Sequence, residues 1–214
     1  MTCRVCASVS APVFTARVHN EHDVIYFRCD TCGFICTEEP YWLNAAYAHP
    51  ITLEDTGILV RNQHFAKVVS CLLFFCFDRN ARFLDYAGGY GLFTRMMRDV
   101  GFDYYWHDKH TPNLVARGFE APAGVPFELV TAFEVAEHFV DPLAGFQEIL
   151  ALSRNLVFST LLLPEPVPDP GTWWYYGLEH GQHVSLYSRE SLARIAQKHD
   201  LAFHTNGIDL HLMT

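Results

Sequence analysis

Arg82-Phe83-Leu84-Asp85-Tyr86-Ala87-Gly88-Gly89-Tyr90-Gly91, followed by Leu92, Phe93, Met96, Met97 and Val100, decides the fold. The first five residues read as a buried strand and the next five as a glycine loop. The apolar spacing after them reads as one helical face closing at Gly101. Strand, glycine loop and helix in that order bring backbone close to a ligand at a helix start. Outward from there the alternation continues. Tyr104-Tyr105-Trp106 reads as a second strand with Asp108 at its carboxyl end, followed by a helix near 112–118 and a strand over 127–133. A helix with Asp141 as N-cap and Pro142 as first helical residue comes next, then a strand over 156–160. A helix from Ser188 and a hairpin turning at Asn206-Gly207 complete the series. Upstream, the spacing of Ile58, Leu59, Phe65, Val68, Val69, Leu72 and Leu73 predicts a helix over about 57–77. The alternation implies an α/β fold: a mostly parallel sheet with helices on both faces and ligands at the carboxyl ends of its strands.

The chain has 214 residues, half of them hydrophobic, with 15 Lys+Arg against 24 Asp+Glu and a net charge of −9. That length holds one domain plus a small appendage. An acidic balance, with a pI near 5.7, gives no cationic field to gather nucleic acid or anionic lipid. The longest apolar run, 68–77, is shorter than a bilayer span, and Met1-Thr2-Cys3-Arg4 lacks a signal-peptide core. The expectation is a cytoplasmic protein with neither nucleic acid nor a membrane as partner.

Seven cysteines include two CxxC pairs, Cys3/Cys6 and Cys29/Cys32, with 22 residues between them. Two such turns aim four thiolates at one point, which predicts a closed, structural zinc site. Gly33 after the second pair suits a zinc knuckle; Ala7 stands at the matching place after the first. With a short strand at Val24-Ile25-Tyr26-Phe27-Arg28, residues 1–40 read as a zinc ribbon. A redox dithiol or disulfides fit two pairs in a reducing compartment less well. Cys36 is an alternative fourth ligand, while Cys71 and Cys76, inside the apolar run, are expected to be ordinary buried thiols. Arg4, Arg17 and Arg28 are matched by Glu21, Asp23 and Asp30, so the ribbon reads as a lid or docking surface.

Asp108 lies 23 residues after Asp85, where an acid suits ribose hydroxyls. A dinucleotide fingerprint requires a third glycine, and Thr94 stands in its place. The Asp85 carboxylate would repel a pyrophosphate and attract an ammonium, so the cofactor inferred is S-adenosylmethionine. A plain tight turn, a solvated Asp108 and a nicotinamide enzyme are the competing readings.

Through LDYAGGYG, WHD and FELVTAFEVAEHFVDP, the sequence resembles class I S-adenosylmethionine-dependent methyltransferases over about residues 50–214. With the CxxC pairs it is similar to the sugar methyltransferases that carry an N-terminal zinc-binding segment. The resemblance implies a Rossmann-like, mostly parallel seven-stranded sheet in a methyltransferase domain over 41–214. It implies cofactor contacts from Asp85, Gly89 and Gly91, with the loop backbone at Ala87 and Gly88, from Asp108 to the ribose, and from Phe133 and Glu134 at the end of the fourth strand. Ala87 replaces the family's usual first glycine. The sugar C-methyltransferases also continue into a second large domain, which these 214 residues do not include.

Methyl transfer to a hydroxyl or carbon acid needs a base, and histidine has a suitable pKa. The candidates are His138, after the fourth strand, and His180 and His183 in Glu179-His180-Gly181-Gln182-His183. In the family resembled, a Glu-His in a comparable place lies at the substrate, which implies Glu179 and His180. Trp173-Trp174-Tyr175-Tyr176 reads as a lid or sugar-stacking wall, or else as core; Tyr41 and Tyr47 are candidates to close over the acceptor. Hydrogen bonding within the fold is the bland alternative for each histidine, and a second metal at Glu179, His180 and His183 a lesser one. The expected activity is C- or O-methylation of a small polar acceptor, a sugar or nucleotide-sugar. The alternative is a non-catalytic cofactor-binding module whose ribbon docks a partner.

Overall fold

Continuous apolar runs bury both faces of a strand, and the strands around the glycine loop have them. In the computed structural model, which describes residues 1–47 and 56–214, β4 (Arg82–Tyr86) is buried from its second residue onward and β6 (Leu129–Phe133) up to its last. The earlier elements are β1 (Ser10–Val18), β2 (His22–Cys29), β3 (Ile35–Thr37), α1 (Leu43–Ala46) and α2 (Ile58–Cys76). Between β4 and β6 lie α3 (Leu92–Val100) and β5 (Asp103–His107). After β6 come α4 (Pro142–Leu150), β7 (Leu156–Ser159), β8 (Ser185–Leu186), α5 (Arg189–Lys198), β9 (Phe203–Thr205) and β10 (Leu210–Met213). The chain divides into two compact units, one of Met1–His49, Glu134–Glu148 and Phe158–Thr214, the other of Pro50–Phe133 and Ile149–Val157. The segment 48–55, part of the expected domain over 41–214, lies outside the described residues.

In the second unit β4 pairs in parallel with β5 and β6, which sets Asp85 opposite Trp106 on one side and Thr131 on the other. Helix α3 buries Phe93, Thr94 and Met97 and is bounded by Gly91 and Gly101, both left-handed. Helix α2 buries Phe65, Ala66, Val69 and Leu73, leaving Cys71, Phe74, Phe75 and Cys76 exposed. The expectation that Cys71 and Cys76 are buried is thereby corrected: apolar residues surround this helix, and only one stripe is covered. Among the described residues, α2 alone has the length and apolar composition of a membrane span, a property shared by helices of soluble proteins. The helix expected near 112–118 does not form. Asn113 captures the backbone instead, its Oδ1 accepting from Ala116 N–H and its Nδ2 donating to Ala116 O.

In the first unit β1, β2, β3 and β8 form an antiparallel sheet in that order. Two residues of β8 suffice to join it, Ile35 pairing with Leu186 and Cys36 with Ser185. Val24, Tyr26, Ile35, Trp42, Tyr175, Tyr176, Val184 and Leu186 build its core. The expected caps are present: Asp141 Oδ1 accepts from Ala144 N–H at 3.1 Å and Ser188 Oγ from Ser191 N–H at 3.0 Å.

The larger sheet is hydrogen-bonded in the order β5-β4-β6-β7-β10-β9, with the β9–β10 hairpin antiparallel. Among the described residues it is thus mixed and six-stranded, which corrects the expected seven. Pro164, Pro166, Pro168 and Pro170 follow β7 and withhold the N–H groups a further strand would need.

Candidate active site

The loop after β4 reverses direction by taking left-handed backbone at Ala87, Gly89 and Gly91, with φ of +55°, +53° and +89°. A Cβ on Gly88 would lie 2.6 Å from Asp85 Oδ2 and 2.9 Å from Trp106 Cδ1, so the loop packs down onto the strands. Asp85 is buried and accepts from the Thr94 hydroxyl at 3.0 Å, with the Thr131 hydroxyl 3.3 Å from its other oxygen. Burial pushes its carboxyl up to about 7, against the opposing pull of the two threonines. Thr94, whose presence breaks the dinucleotide fingerprint, therefore has a positive role as the partner of Asp85.

Asp108 clamps the loop from β5. Its Oδ2 accepts from Gly89 N–H at 2.9 Å, and its Oδ1 from His110 N–H and Thr111 N–H, both at 2.7 Å. Trp106 Nε1 donates to Gly89 O at 2.9 Å. A carboxylate has about four acceptor sites, so Asp108 retains capacity for a further donor such as a hydroxyl. Phe133, at the end of β6, stacks on Phe65 at 4.2 Å and meets Phe93 edge-on at 4.9 Å.

In the other unit, Glu134 takes a left-handed conformation at φ +55°. Its N–H donates to Ser159 Oγ at 2.8 Å, and that hydroxyl donates to Glu134 Oε1 at 2.6 Å. The single turn Ala136–His138 follows. Tyr187 donates to Ala136 O, Val184 N–H to Glu137 O and the Ser185 hydroxyl to Phe139 O, so this turn is fixed by its carbonyls. Glu137 is fully buried, and neither of its oxygens has a partner in hydrogen-bond geometry. Burial and the neighbouring Glu134 push its carboxyl up to about 8, the nearby Tyr175 and Thr160 hydroxyls pulling weakly the other way.

Beside Glu137 the three predicted histidines meet. The rings of His138 and His183 are 5.0 Å apart and those of His183 and His180 4.7 Å. His138 Nδ1 shares a hydrogen bond with the Tyr47 hydroxyl at 2.8 Å, and His183 Nδ1 donates to Tyr175 O at 2.7 Å. Burial pushes both imidazoles below the usual histidine range, so both are neutral near pH 7. His180 Nδ1 accepts from Gln182 N–H at 3.2 Å, whereas Glu179 is exposed. The carboxylate in this cluster is Glu137. The metal alternative of Glu179, His180 and His183 is accordingly corrected, since the group whose ligand atoms converge is Glu137, His138 and His183. Tyr175 and Tyr176 are core residues, leaving Trp174 as the exposed ring of the aromatic stretch; Tyr41 is exposed. Glu137 is not among the candidates read from the sequence, although the Glu-His dipeptide just after β6 carries it into this cluster.

The four cysteines of the CxxC pairs converge, all Sγ atoms lying within 4.8 Å of one another. Cys3 and Cys32 approach to 3.7 Å and Cys6 and Cys29 to 3.5 Å, against about 3.8 Å between thiolates in a tetrahedral zinc site. Gly33 and Ala7 turn the two knuckles alike, at φ +70° and +61°. Their amides bond back to Cys29 O and Cys3 O. Without a metal, the bond from the Cys32 thiol pulls Cys3 down to about 4 and pushes Cys32 up. Cys36 lies outside this group, in β3.

A comparison with curated proteins finds no match. Among solved structures, magnesium protoporphyrin IX methyltransferase from Synechocystis PCC 6803 with bound S-adenosylmethionine is similar, at 13% identity and a TM-score of 0.52. The match covers 81% of this chain and 92% of that one. The same enzyme with bound S-adenosylhomocysteine gives 15% identity, a TM-score of 0.55 and coverage of 81% and 95%. The mitomycin 7-O-methyltransferase MmcR gives 15% identity and a TM-score of 0.51, covering 72% of this chain and 53% of its own. At such identities the likeness shows the fold. Residues 61–206, about two thirds of the chain and inclusive of the glycine loop, Asp108, Glu134 and the histidines, match the family described as methyltransferase domain. The chain belongs to that methyltransferase-domain family.

Proposed function

We propose that this protein is an S-adenosylmethionine-dependent methyltransferase acting on a small polar acceptor, a sugar or nucleotide-sugar, at carbon or oxygen. The observation that carries the reading is the clamped glycine loop: three left-handed residues in five, tied through Gly89 N–H to Asp108. With no side chain beyond a methyl at 87–89, the backbone leaves room for close approach of a cofactor, and the fit is supported by related folds holding this cofactor or its product. When bound, the cofactor supplies a methyl group activated on a sulfonium. Asp85 holds the loop from beneath, Asp108 receives ribose hydroxyls, and Phe133 borders the site. The sugar class rests on the family resemblance and on the exposed ring of Trp174.

His180 is the base in this reading, being partly open to solvent beside the buried His183. The four-cysteine cluster holds a structural zinc ion: the donor set, the burial of three of its members and the knuckle turns all fit it. Turnover of methyl-labelled S-adenosylmethionine over a panel of sugars and nucleotide-sugars tests the assignment. Label in one of them supports it. Tight cofactor binding without transfer to any acceptor favours a cofactor-binding module.

A further inference from the structure

From the convergence of one carboxylate and two imidazoles, we propose that Glu137, His138 and His183 form a second metal site, for a divalent first-row cation such as Mn2+, Fe2+, Co2+ or Zn2+. One ligand atom from each of the three lies within 4.8 Å of the others. Two histidines and one carboxylate on one side of a cation leave its remaining positions open, the arrangement of a working rather than a structural metal site.

The second observation is independent of that spacing. Glu137 is fully buried, yet no donor meets either carboxylate oxygen in hydrogen-bond geometry, the nearby Tyr175 and Thr160 hydroxyls included. An unpaired buried carboxyl costs free energy that a cation would offset. Its backbone leaves little room for escape, because the turn carrying it is fixed by Tyr187, Val184 and Ser185.

The surroundings of the histidines match those of metal ligands. His183 directs Nδ1–H at Tyr175 O, and His138 engages the Tyr47 hydroxyl through Nδ1, so Nε2 is the remaining nitrogen on each ring. Such bonds on the far nitrogen set tautomer and ring orientation in metal centres. This site shares no ligand with the four-cysteine cluster, whose soft thiolates select a different coordination.

An open position on such a cation takes an oxygen donor. A hydroxyl bound there loses its proton more readily than in water, which is what an oxygen acceptor of a methyl group requires. That last consequence rests on the methyltransferase reading; the cation site itself does not.

The test uses the full chain holding one equivalent of zinc, which its four cysteines take, with no excess zinc left to fill the second site; it is titrated with Mn2+, free manganese being counted by electron paramagnetic resonance. The site predicts one Mn2+ per chain, bound at least about tenfold more weakly in Glu137→Gln and in His183→Ala. Glu137→Gln keeps the shape of a side chain that carries no compensating cation in the free protein, so its fold is testable by circular dichroism. Binding of S-adenosylhomocysteine, measured on the same samples, separates this proposal from the cofactor assignment. No Mn2+ site in the wild-type chain overturns the proposal whether or not S-adenosylhomocysteine binds. Equal Mn2+ affinity in a folded Glu137→Gln overturns it too. Should the variants not fold, the wild-type stoichiometry decides, one ion per chain supporting the site.

Discussion

Asp108 accepts the backbone N–H of Gly89 at 2.9 Å, joining the end of β5 to the glycine loop after β4. A single carboxylate thus both shapes the loop and retains acceptor capacity for a ligand hydroxyl. Asp108→Ala is expected to weaken S-adenosylhomocysteine by about 1.5–3 kcal/mol, the scale for losing hydrogen bonds to a charged group. Isothermal calorimetry reads this directly, and unchanged affinity would remove Asp108 from the site.

Ala87 holds φ +55°, a conformation that costs a side-chain-bearing residue roughly 1–2 kcal/mol. Glycine relieves that strain but adds unfolded-state entropy, so Ala87→Gly should stabilise the chain by up to about 1 kcal/mol. Urea unfolding checks it; a clear loss of stability would show that the left-handed geometry is not strained here.

Asp85 has a carboxyl raised from 3.8 to about 7 by burial. Because the folded value is the higher one, its contribution is complete below about 4 and is lost as pH rises through about 7. The wild-type chain should therefore lose more stability than Asp85→Asn between pH 5 and pH 8. Parallel pH profiles for the two would mean that Asp85 ionises as freely folded as unfolded.

The cysteine cluster predicts that the Cys29→Ser/Cys32→Ser double variant holds one zinc per chain fewer than metal-replete, reduced wild-type protein. Elemental analysis decides, and full zinc content in the double variant would rule out this ligand set.

His180→Ala is expected to lower kcat by roughly 10²–10⁴-fold with cofactor affinity nearly unchanged, the signature of losing a general base. Near-normal turnover would pass the role to another histidine.

What the sequence revealed was mostly local. β4, its glycine loop and α3 announce themselves because burial, glycine and helical period all change within twenty residues. The caps at Asp141 and Ser188 are equally local. Glu137 was harder, since its burial follows from bonds to Val184, Ser185 and Tyr187, nearly fifty residues on. The pairing of β3 with a two-residue β8 leaves no period to detect. Asn113 overrode an apparent helix through its side-chain bonds, and Cys71 and Cys76 fell on the uncovered side of an all-round apolar helix.

The central claim is that the loop clamped by Asp108 is a site for S-adenosylmethionine. Calorimetric titration of the zinc-replete chain with S-adenosylhomocysteine, in parallel with NADH, tests it most directly. One saturable site per chain is expected for S-adenosylhomocysteine, weakened by Asp108→Ala, and none for NADH. Binding of NADH with no detectable S-adenosylhomocysteine site in folded protein would contradict it.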